Sequence, residues 1–333
     1  MAEFKPEGDH IHPLREEAKL ETLKWFSSYQ GVDAKWIATI KLSRSDYMAA
    51  FIYPDVDFDE LVLVMEWYYW AFFIDDTVDN GQLSHEGIEN LVWMLEEVQM
   101  NRDIAERPPL PLIVEMFQAI WLKIRHKNRP CFESLFASSS IDYARGLPEL
   151  DKMRHDGGIP DLETYKRNRR LVVWLEGALL FTGFILDLKI DQEVLNSSEM
   201  KELHATYIEL GWLINDIYSW NIEQRRRDMC NFISLIVIHE QKSVQDAMND
   251  AEQEIRSQVL KCRSVKTRVL QTYRDHKDIE DLKIYIERNQ VWIWVAVAWS
   301  FVAGERYFGN QKASEEAQNT GIVHIMPREV DTQ

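Results

Sequence analysis

Apolar residues return every three or four positions along almost the whole chain, and no long alternating stretch interrupts them. That period predicts helices rather than strands. Turn-forming residues punctuate the pattern at Pro54, at Asn80-Gly81, at Arg107-Pro108-Pro109, from Gly146 to Pro160 and at Gly309-Asn310. Asn196, with Glu199 three residues on, reads as a capping box that opens a helix, and Asp161 after Pro160 reads as an N-cap. The run Val291 to Gly304 is too short to cross a bilayer and reads as a buried helix. Residues 311–333 are polar and show no clear period, the composition of a mobile tail. The pattern therefore predicts an all-α protein, a bundle of about ten helices, with one domain over residues 1–310 and a C-terminal tail over 311–333.

Two helical segments carry chemistry on the face that their apolar residues define. In the first, Leu61, Met65, Tyr68 and Phe72 form a stripe, and the next steps along it land on Asp75 and Asp79, with Asp76 alongside. Buried carboxylates without a counter-charge are expensive, so a cluster on an inward face calls for cations. Oxygen ligands alone suit Mg²⁺, which keeps several waters and shares phosphate oxygens. The competing reading ends the helix near Ile74 and makes Asp75 to Asn80 an acidic, solvated turn. In the second segment, Glu202 to Glu223, the residues Tyr207, Gly211, Asn215, Ser219 and Glu223 stand four apart. An amide oxygen, a hydroxyl and a carboxylate on successive turns make a chelate for Mg²⁺, and Gly211 leaves room beside a ligand or a neighbouring helix. Taken alone, this triad is better read as ordinary helix polarity. The occurrence of both constellations in one chain, each able to flank a cavity, favours metal.

Composition narrows the classes. The 333 residues are 46% hydrophobic, with 12 Trp, 13 Gly and 10 Pro, enough apolar material for a large core. A formal charge of −17 speaks against nucleic acid, whose phosphates need Lys and Arg, but leaves room for an anionic small molecule carried with cations. Cys131, Cys230 and Cys262 are odd in number and widely spaced, which fits a reducing compartment without a disulfide framework. The N-terminal residues lack the apolar core of a signal peptide, so a cytoplasmic protein without stable membrane insertion is expected. For a diphosphate, Arg169 and Arg306 are candidates because a guanidinium pairs with phosphate oxygens; Arg306-Tyr307 closes the apolar stretch. Aromatic side chains near the candidate metal positions, Phe72, Trp212 and Trp299 among them, could present a π face to a cation, although each also suits a core.

Together these residues resemble the class I terpene synthase family in its microbial, fungal-like, single-domain form. Asp75-Asp76-Thr77-Val78-Asp79 is similar to the family's aspartate-rich DDxxD motif. Asn215 to Glu223 is similar to its NDxxSxxxE motif, Arg169 to its diphosphate sensor and Arg306-Tyr307 to its terminal RY pair. Four motifs in the family's order and spacing cover residues from about 10 to 309. The resemblance implies an α-bundle around an apolar cavity and three Mg²⁺ ions. Asp75, Asp79, Asn215, Ser219 and Glu223 would be ligands, Asp76 would support them, and Arg169, Arg306 and Tyr307 would hold the diphosphate. It implies a cyclase that ionises a linear prenyl diphosphate, with loops near 80–86 and 224–231 closing over it. The C15 farnesyl diphosphate leading to a sesquiterpene is the first expectation and the C20 geranylgeranyl diphosphate the second. Homodimers are common in the family. Two positions depart from its pattern: Val173 stands where a small residue usually breaks a helix, and Ile222 stands where many fungal members carry Lys, whose contact could pass to Arg225, Arg226 or Arg227. An isoprenyl diphosphate synthase would want a second aspartate-rich motif instead of the Asn/Ser/Glu set. A non-catalytic helical binding protein would show no metal-dependent binding of diphosphate.

Overall fold

The computed structural model describes residues 4–5, 11–79, 81–100, 111–155 and 158–329. The described residues form sixteen α-helices and no strand. The chain divides into two compact units. One comprises Pro6–Asp151 with Gly177–Leu188; the other comprises Met1–Lys5, Lys152–Glu176 and Lys189–Gln333.

The first unit holds α1 (Arg15–Ser27), α2 (Ala34–Ser43), α3 (Ser45–Ile52), α4 (Phe58–Asp79), α5 (His85–Gln99), α6 (Leu112–His126) and most of α7 (Pro130–His155) and α9 (Leu175–Ile185). Its organising element is α4, against which α1, α2, α3 and α6 all pack. Surrounded in this way, α4 is buried on nearly every side. Leu63, Val64, Trp67, Tyr69 and Trp70 are as enclosed as the expected stripe of Leu61, Met65 and Tyr68. A helix apolar all round belongs inside a protein, and the single stripe understates it. Two carboxylates buried with it are each answered by cations. Glu60 Oε1 accepts from Lys127 Nζ at 2.7 Å and Arg129 Nη2 at 2.9 Å. Glu66 takes Lys123 Nζ at 2.5 and 2.6 Å. Close approach also sets a glycine here: a Cβ on Gly183 of α9 would lie 2.1 Å from the Phe132 ring.

The second unit holds α8 (Leu162–Val172), α10 (Gln192–Leu195), α11 (Ser198–Arg226), α12 (Phe232–Glu240), α13 (Val244–Thr272), α14 (Ile279–Val302), α15 (Gly304–Phe308) and α16 (Gln311–Thr320). Here α11 is central, in contact with α8, α10, α12, α13, α14 and α15. Each unit is thus built round one long helix, and each of those helices carries one of the two oxygen-rich motifs toward its C-terminal end.

The helix count exceeds the expected ten because several helices end at residues that are neither Gly nor Pro. Arg44, Trp174, Arg227 and Gln241 all take positive φ, between 47° and 63°. Conversely, α7 continues through Gly146 and Pro148, where a break was expected. Buried Tyr143, Ala144, Leu147 and Leu150 anchor the helix on both sides of the proline, and such packing outweighs the hydrogen bond that proline cannot donate. The cap of α11 is Ser197, whose hydroxyl accepts from the Met200 N–H, and not Asn196, whose side chain instead donates to the Gln192 carbonyl. Arg306 and Tyr307 do not close the long apolar helix: α14 stops at Val302, and they lie on the separate α15. Past residue 310, where no period was visible, Gln311–Thr320 is helical, capped by Asn310, whose Oδ1 accepts from the Ala313 N–H. The turns expected at Asn80 and at Arg107-Pro108-Pro109 involve positions outside the described residues. All three cysteines are free thiols. No described helix is long and apolar enough to cross a membrane.

Candidate active site

Asp161 caps α8 as its position predicts, accepting from the Glu163 and Thr164 N–H groups at 3.0 and 2.9 Å. The helix then presents Tyr165 and Arg169 one turn apart on one face, and both reach α11. The Tyr165 hydroxyl donates to Asp216 Oδ2 at 2.5 Å. Arg169 Nε donates to Asp216 Oδ1 at 2.9 Å, and its Nη2 donates to Asn215 Oδ1 at 2.6 Å. The first N–H of α12, on Phe232, donates to Asp216 Oδ2 at 3.0 Å. Asp216 is 1% exposed, so a buried carboxylate with three donors pins α8, α11 and α12 together. Arg169 is thereby held against Asn215, the pair that the sequence proposed from separate segments.

Asn215, Ser219 and Glu223 follow at four-residue steps along α11. The Ser219 Oγ is buried and has no hydrogen-bond partner among the described residues, which is costly for a hydroxyl unless a ligand completes it. Glu223 Oε2 accepts from Asn231 Nδ2 at 2.8 Å. Burial first, then the charges of Asp228 and Asp216, push the Glu223 carboxyl up to about 8, against the opposing pull of Arg169 and the Asn231 hydrogen bond. A side-chain carbonyl keeps a second lone pair after accepting from Arg169. One amide oxygen, one unsatisfied hydroxyl and one carboxylate short of positive charge are a donor set that fits a hard divalent cation.

The aspartate cluster lies in the last turns of α4, which runs unbroken to Asp79, so the reading that ends the helix near Ile74 is wrong. Asp76 is the most enclosed of the three, at 4% exposure; Asp75 is half-buried and Asp79 exposed. The stripe that placed Asp75 and Asp79 inward therefore missed the deepest carboxylate. Asp75 and Asp79 act on a shared neighbour: burial raises the Tyr143 phenol of α7, and both carboxylates raise it further.

Of the remaining candidates, Tyr307 is buried on α15 with its ring edge-on to Trp299 at 5.4 Å, and Arg306 beside it is half-buried. Trp212 is committed to packing: its ring meets Tyr165 and Phe232 edge-on, and its indole N–H donates to Glu209 Oε2 at 2.9 Å. Phe72 is half-buried on α4. At the position of doubt, α8 does break, although Val173 is not small. The chain turns through Trp174 at φ 47°, and α9 begins at Leu175. Gly211 of α11 provides the space, since a Cβ there would lie 2.4 Å from Leu175 Cδ2. Ile222 is half-buried; Arg225 engages Glu329 at 3.4 Å, whereas Arg226 and Arg227 are exposed. Far from these residues in sequence, Asp191, His276 and Asp278 bring ligand atoms within 4.8 Å of one another. Lys277 Nζ stands 3.0 Å from Asp191 and already supplies positive charge there.

The sequence did not single out Asp216 or Asn231 as organisers. Asn231 had a local signal: it precedes the apolar run Phe232 to Ile238, and it caps α12 by accepting from the Ile233 N–H at 2.9 Å. Its second task, donating to Glu223 and to the Asp216 carbonyl, has no local signature.

The aspartate cluster of α4 and the Asn/Ser/Glu triad of α11 beside the half-buried Arg169 are each the kind of oxygen-rich set that metal-dependent helical enzymes carry. Residues 66–261 match the model of terpene synthase family 2, C-terminal metal binding, and the chain belongs to that family. It is a class I terpene synthase, a lyase that releases diphosphate from a prenyl diphosphate and depends on divalent metal. It is 24% identical over 318 residues to sesquiterpene synthase 6 of Postia placenta, covering 95% of this chain and 91% of that one. It is 25% identical over 304 residues to (+)-eremophilene synthase of Gibberella fujikuroi, covering 90% and 84%. In fold it is similar to the crystal structure of a-eudesmol synthase, with a TM-score of 0.78, 18% identity and coverage of 90% and 98%.

Proposed function

We infer that this enzyme uses Mg²⁺ to convert farnesyl diphosphate into a cyclic sesquiterpene in the cytoplasm. The observation that carries the site assignment is the buried Ser219 Oγ without a hydrogen-bond partner, set between Asn215, already touched by Arg169, and Glu223. The names of the relatives, sesquiterpene synthases from fungi, support the C15 substrate. In this reading Asn215, Ser219 and Glu223 on α11 and Asp75 and Asp79 on α4 are metal ligands, with Asp76 in support, for a full set of three ions. When bound, Mg²⁺ supplies Lewis acidity to the leaving diphosphate. Arg169, Arg306 and Tyr307 direct donors at the oxygens where charge develops as the C–O bond breaks. Asp216 holds Arg169 through Nε and Asn215 takes its Nη2, so the guanidinium is fixed beside the triad. Tyr165 and Phe232 hold Asp216 in place, so the guanidinium is oriented before substrate arrives. Phe72 and Trp299 are the aromatic faces assigned to the cation; Trp212, walled in by Tyr165 and Phe232, serves the packing of α8 and α12 on α11.

The test is incubation of the purified protein with farnesyl and geranylgeranyl diphosphates separately, with and without Mg²⁺, followed by gas chromatography–mass spectrometry. A cyclic C15 product that requires both farnesyl diphosphate and metal is expected. A cyclic product from the C20 substrate alone overturns the substrate assignment, and turnover that persists in chelator overturns the metal.

A further inference from the structure

After α16 the chain turns at Gly321, φ 71°, and runs back along the end of α11 without secondary structure. Side chains of α11 read its backbone. Asn221 Nδ2 donates to the His324 carbonyl at 2.9 Å, and Asn221 Oδ1 accepts from the Met326 N–H at 2.9 Å. One amide thus grips the carbonyl before and the N–H after Ile325, the pair of groups that a neighbouring β-strand would bond. One turn on, Gln224 Nε2 donates to the Met326 carbonyl at 2.8 Å. The Arg225 carbonyl then accepts from the Glu329 N–H at 2.9 Å, and Arg225 pairs with the Glu329 carboxylate. Asn221 and Gln224 are 5% and 6% exposed, so each bond is buried at its α11 end while the segment it holds is exposed except at half-buried Met326.

The segment also touches α15. A Cβ on Gly309, which ends α15 at φ 80°, would lie 3.3 Å from Met326 Sδ. The same methionine sulfur is 4.0 Å from Arg225 Nη1. Between them, α16 is fixed by Ser314, whose hydroxyl donates to the Phe301 carbonyl at 2.8 Å and whose Cβ fills the space above Gly304. Residues 304–329 therefore leave the helix that carries Arg306 and Tyr307 and return to clamp the helix that carries Ser219 and Glu223. Asn221 lies about 200° round α11 from Ser219, so the strap binds the far side of the helix and leaves the metal-ligand face open.

We propose that residues 322–329 are a positioning strap, with Asn221 and Gln224 its receptors, that sets the last turn of α11 against α15. The strap holds Glu223 and the Arg306–Tyr307 pair where a metal–diphosphate unit can engage them together. This rests on the ligand assignment above. Outer residues that orient ligands typically govern metal affinity by about 10- to 100-fold.

Two variants test it: Asn221→Ala with Gln224→Ala, and a chain ended after Gly321. Each is checked for helix content and melting, then titrated by calorimetry with inorganic diphosphate at graded Mg²⁺. The folded variants are expected to need about tenfold more Mg²⁺ for half-saturation. A single Asn221→Ala change, removing two of these bonds, should move the same reading part of the way. If the variants melt earlier yet bind Mg²⁺ and diphosphate as wild type does well below their midpoints, the strap is merely structural and the proposal falls. If wild type itself binds no diphosphate with Mg²⁺, it is the ligand assignment that fails.

Discussion

Replacing Asp216 by Ala removes the acceptor for Tyr165, Arg169 and the Phe232 N–H at once. Arg169 keeps its bond to Asn215 but loses its counter-charge at a site where its side chain is 17% exposed. Breaking a buried pair by removing one partner costs about 3–5 kcal/mol, mainly because the remaining charge stays desolvated. The lost cap on Phe232 adds about 1 kcal/mol. Because the contacts share one carboxylate they do not add fully, and a total of about 3–5 kcal/mol is expected. With a urea dependence of about 3 kcal/mol per molar, the unfolding midpoint falls by about 1–1.7 M. Asp216→Asn retains one acceptor oxygen but turns an NH₂ group toward a donor, so an intermediate loss of about 1–3 kcal/mol is expected. Tyr165→Phe combined with each variant measures how much of the loss passes through the phenol. An Asp216→Ala protein whose urea midpoint matches wild type, with Tyr165→Phe additive to it, would show that the carboxylate does not fasten α8 to α11.

Ser219→Ala should leave the melting temperature unchanged or slightly raised, since the hydroxyl has no hydrogen-bond partner among the described residues, and should weaken Mg²⁺-dependent binding of inorganic diphosphate in calorimetry; undiminished binding removes Ser219 from the ligand set. Gly183→Ala should lower the melting temperature by the equivalent of about 1–3 kcal/mol, because strain against the buried Phe132 ring exceeds the gain in helix propensity. Glu176 gives a pH prediction. Burial works to raise its carboxyl, but the charge and hydrogen bond of His204, with the charge of Lys201, outweigh burial and hold it below the usual range. A depressed carboxylate stabilises the fold above its unfolded value of about 4.3 and stops doing so as pH falls through the folded value. Glu176→Gln should therefore be less stable than wild type at neutral pH in urea unfolding, with the gap closing below about pH 4; a gap that stays open well below pH 4 refutes the pairing.

The helical class was legible because period is a local property, and so was the Asp161 cap, a short polar side chain before an apolar run. The motif residues were legible through the regular step between Asn215, Ser219 and Glu223. The breaks at Arg44, Trp174 and Gln241 were not, because tertiary packing imposes left-handed backbone there on residues that do not advertise it. Asp76 was misjudged for a related reason: a stripe assumes one buried face, and α4 has partners on several sides. The strap was invisible for a different reason. Asn221 and Gln224 bind main-chain atoms, and main-chain atoms leave no mark in the sequence of the segment they hold.

Two carboxylates within one stretch of α11 sit in opposite electrostatic surroundings. Asp216 receives a guanidinium, a phenol and an amide N–H, so its charge and lone pairs are met inside the protein. A metal ion there would compete with Arg169 for the same oxygens. Glu223, two turns on, receives the neutral amide of Asn231 and faces the like charges of Asp216 and Asp228. On the proposed ligand assignment, a divalent cation adds to the pull of Arg169 on Glu223 and completes the Ser219 hydroxyl one turn earlier. The adjacent positions Asn215 and Asp216 thus point to opposite tasks. Asn215 shares Arg169 while keeping a lone pair for a ligand, and Asp216 spends its oxygens on holding that arginine. Exchanging the two side chains would put a charge on the Asn215 face and move the carboxylate that meets the guanidinium from Nε to Nη2. On that assignment, the order Asn-Asp in this motif follows from which neighbour is neutralised by the protein and which stays open to metal.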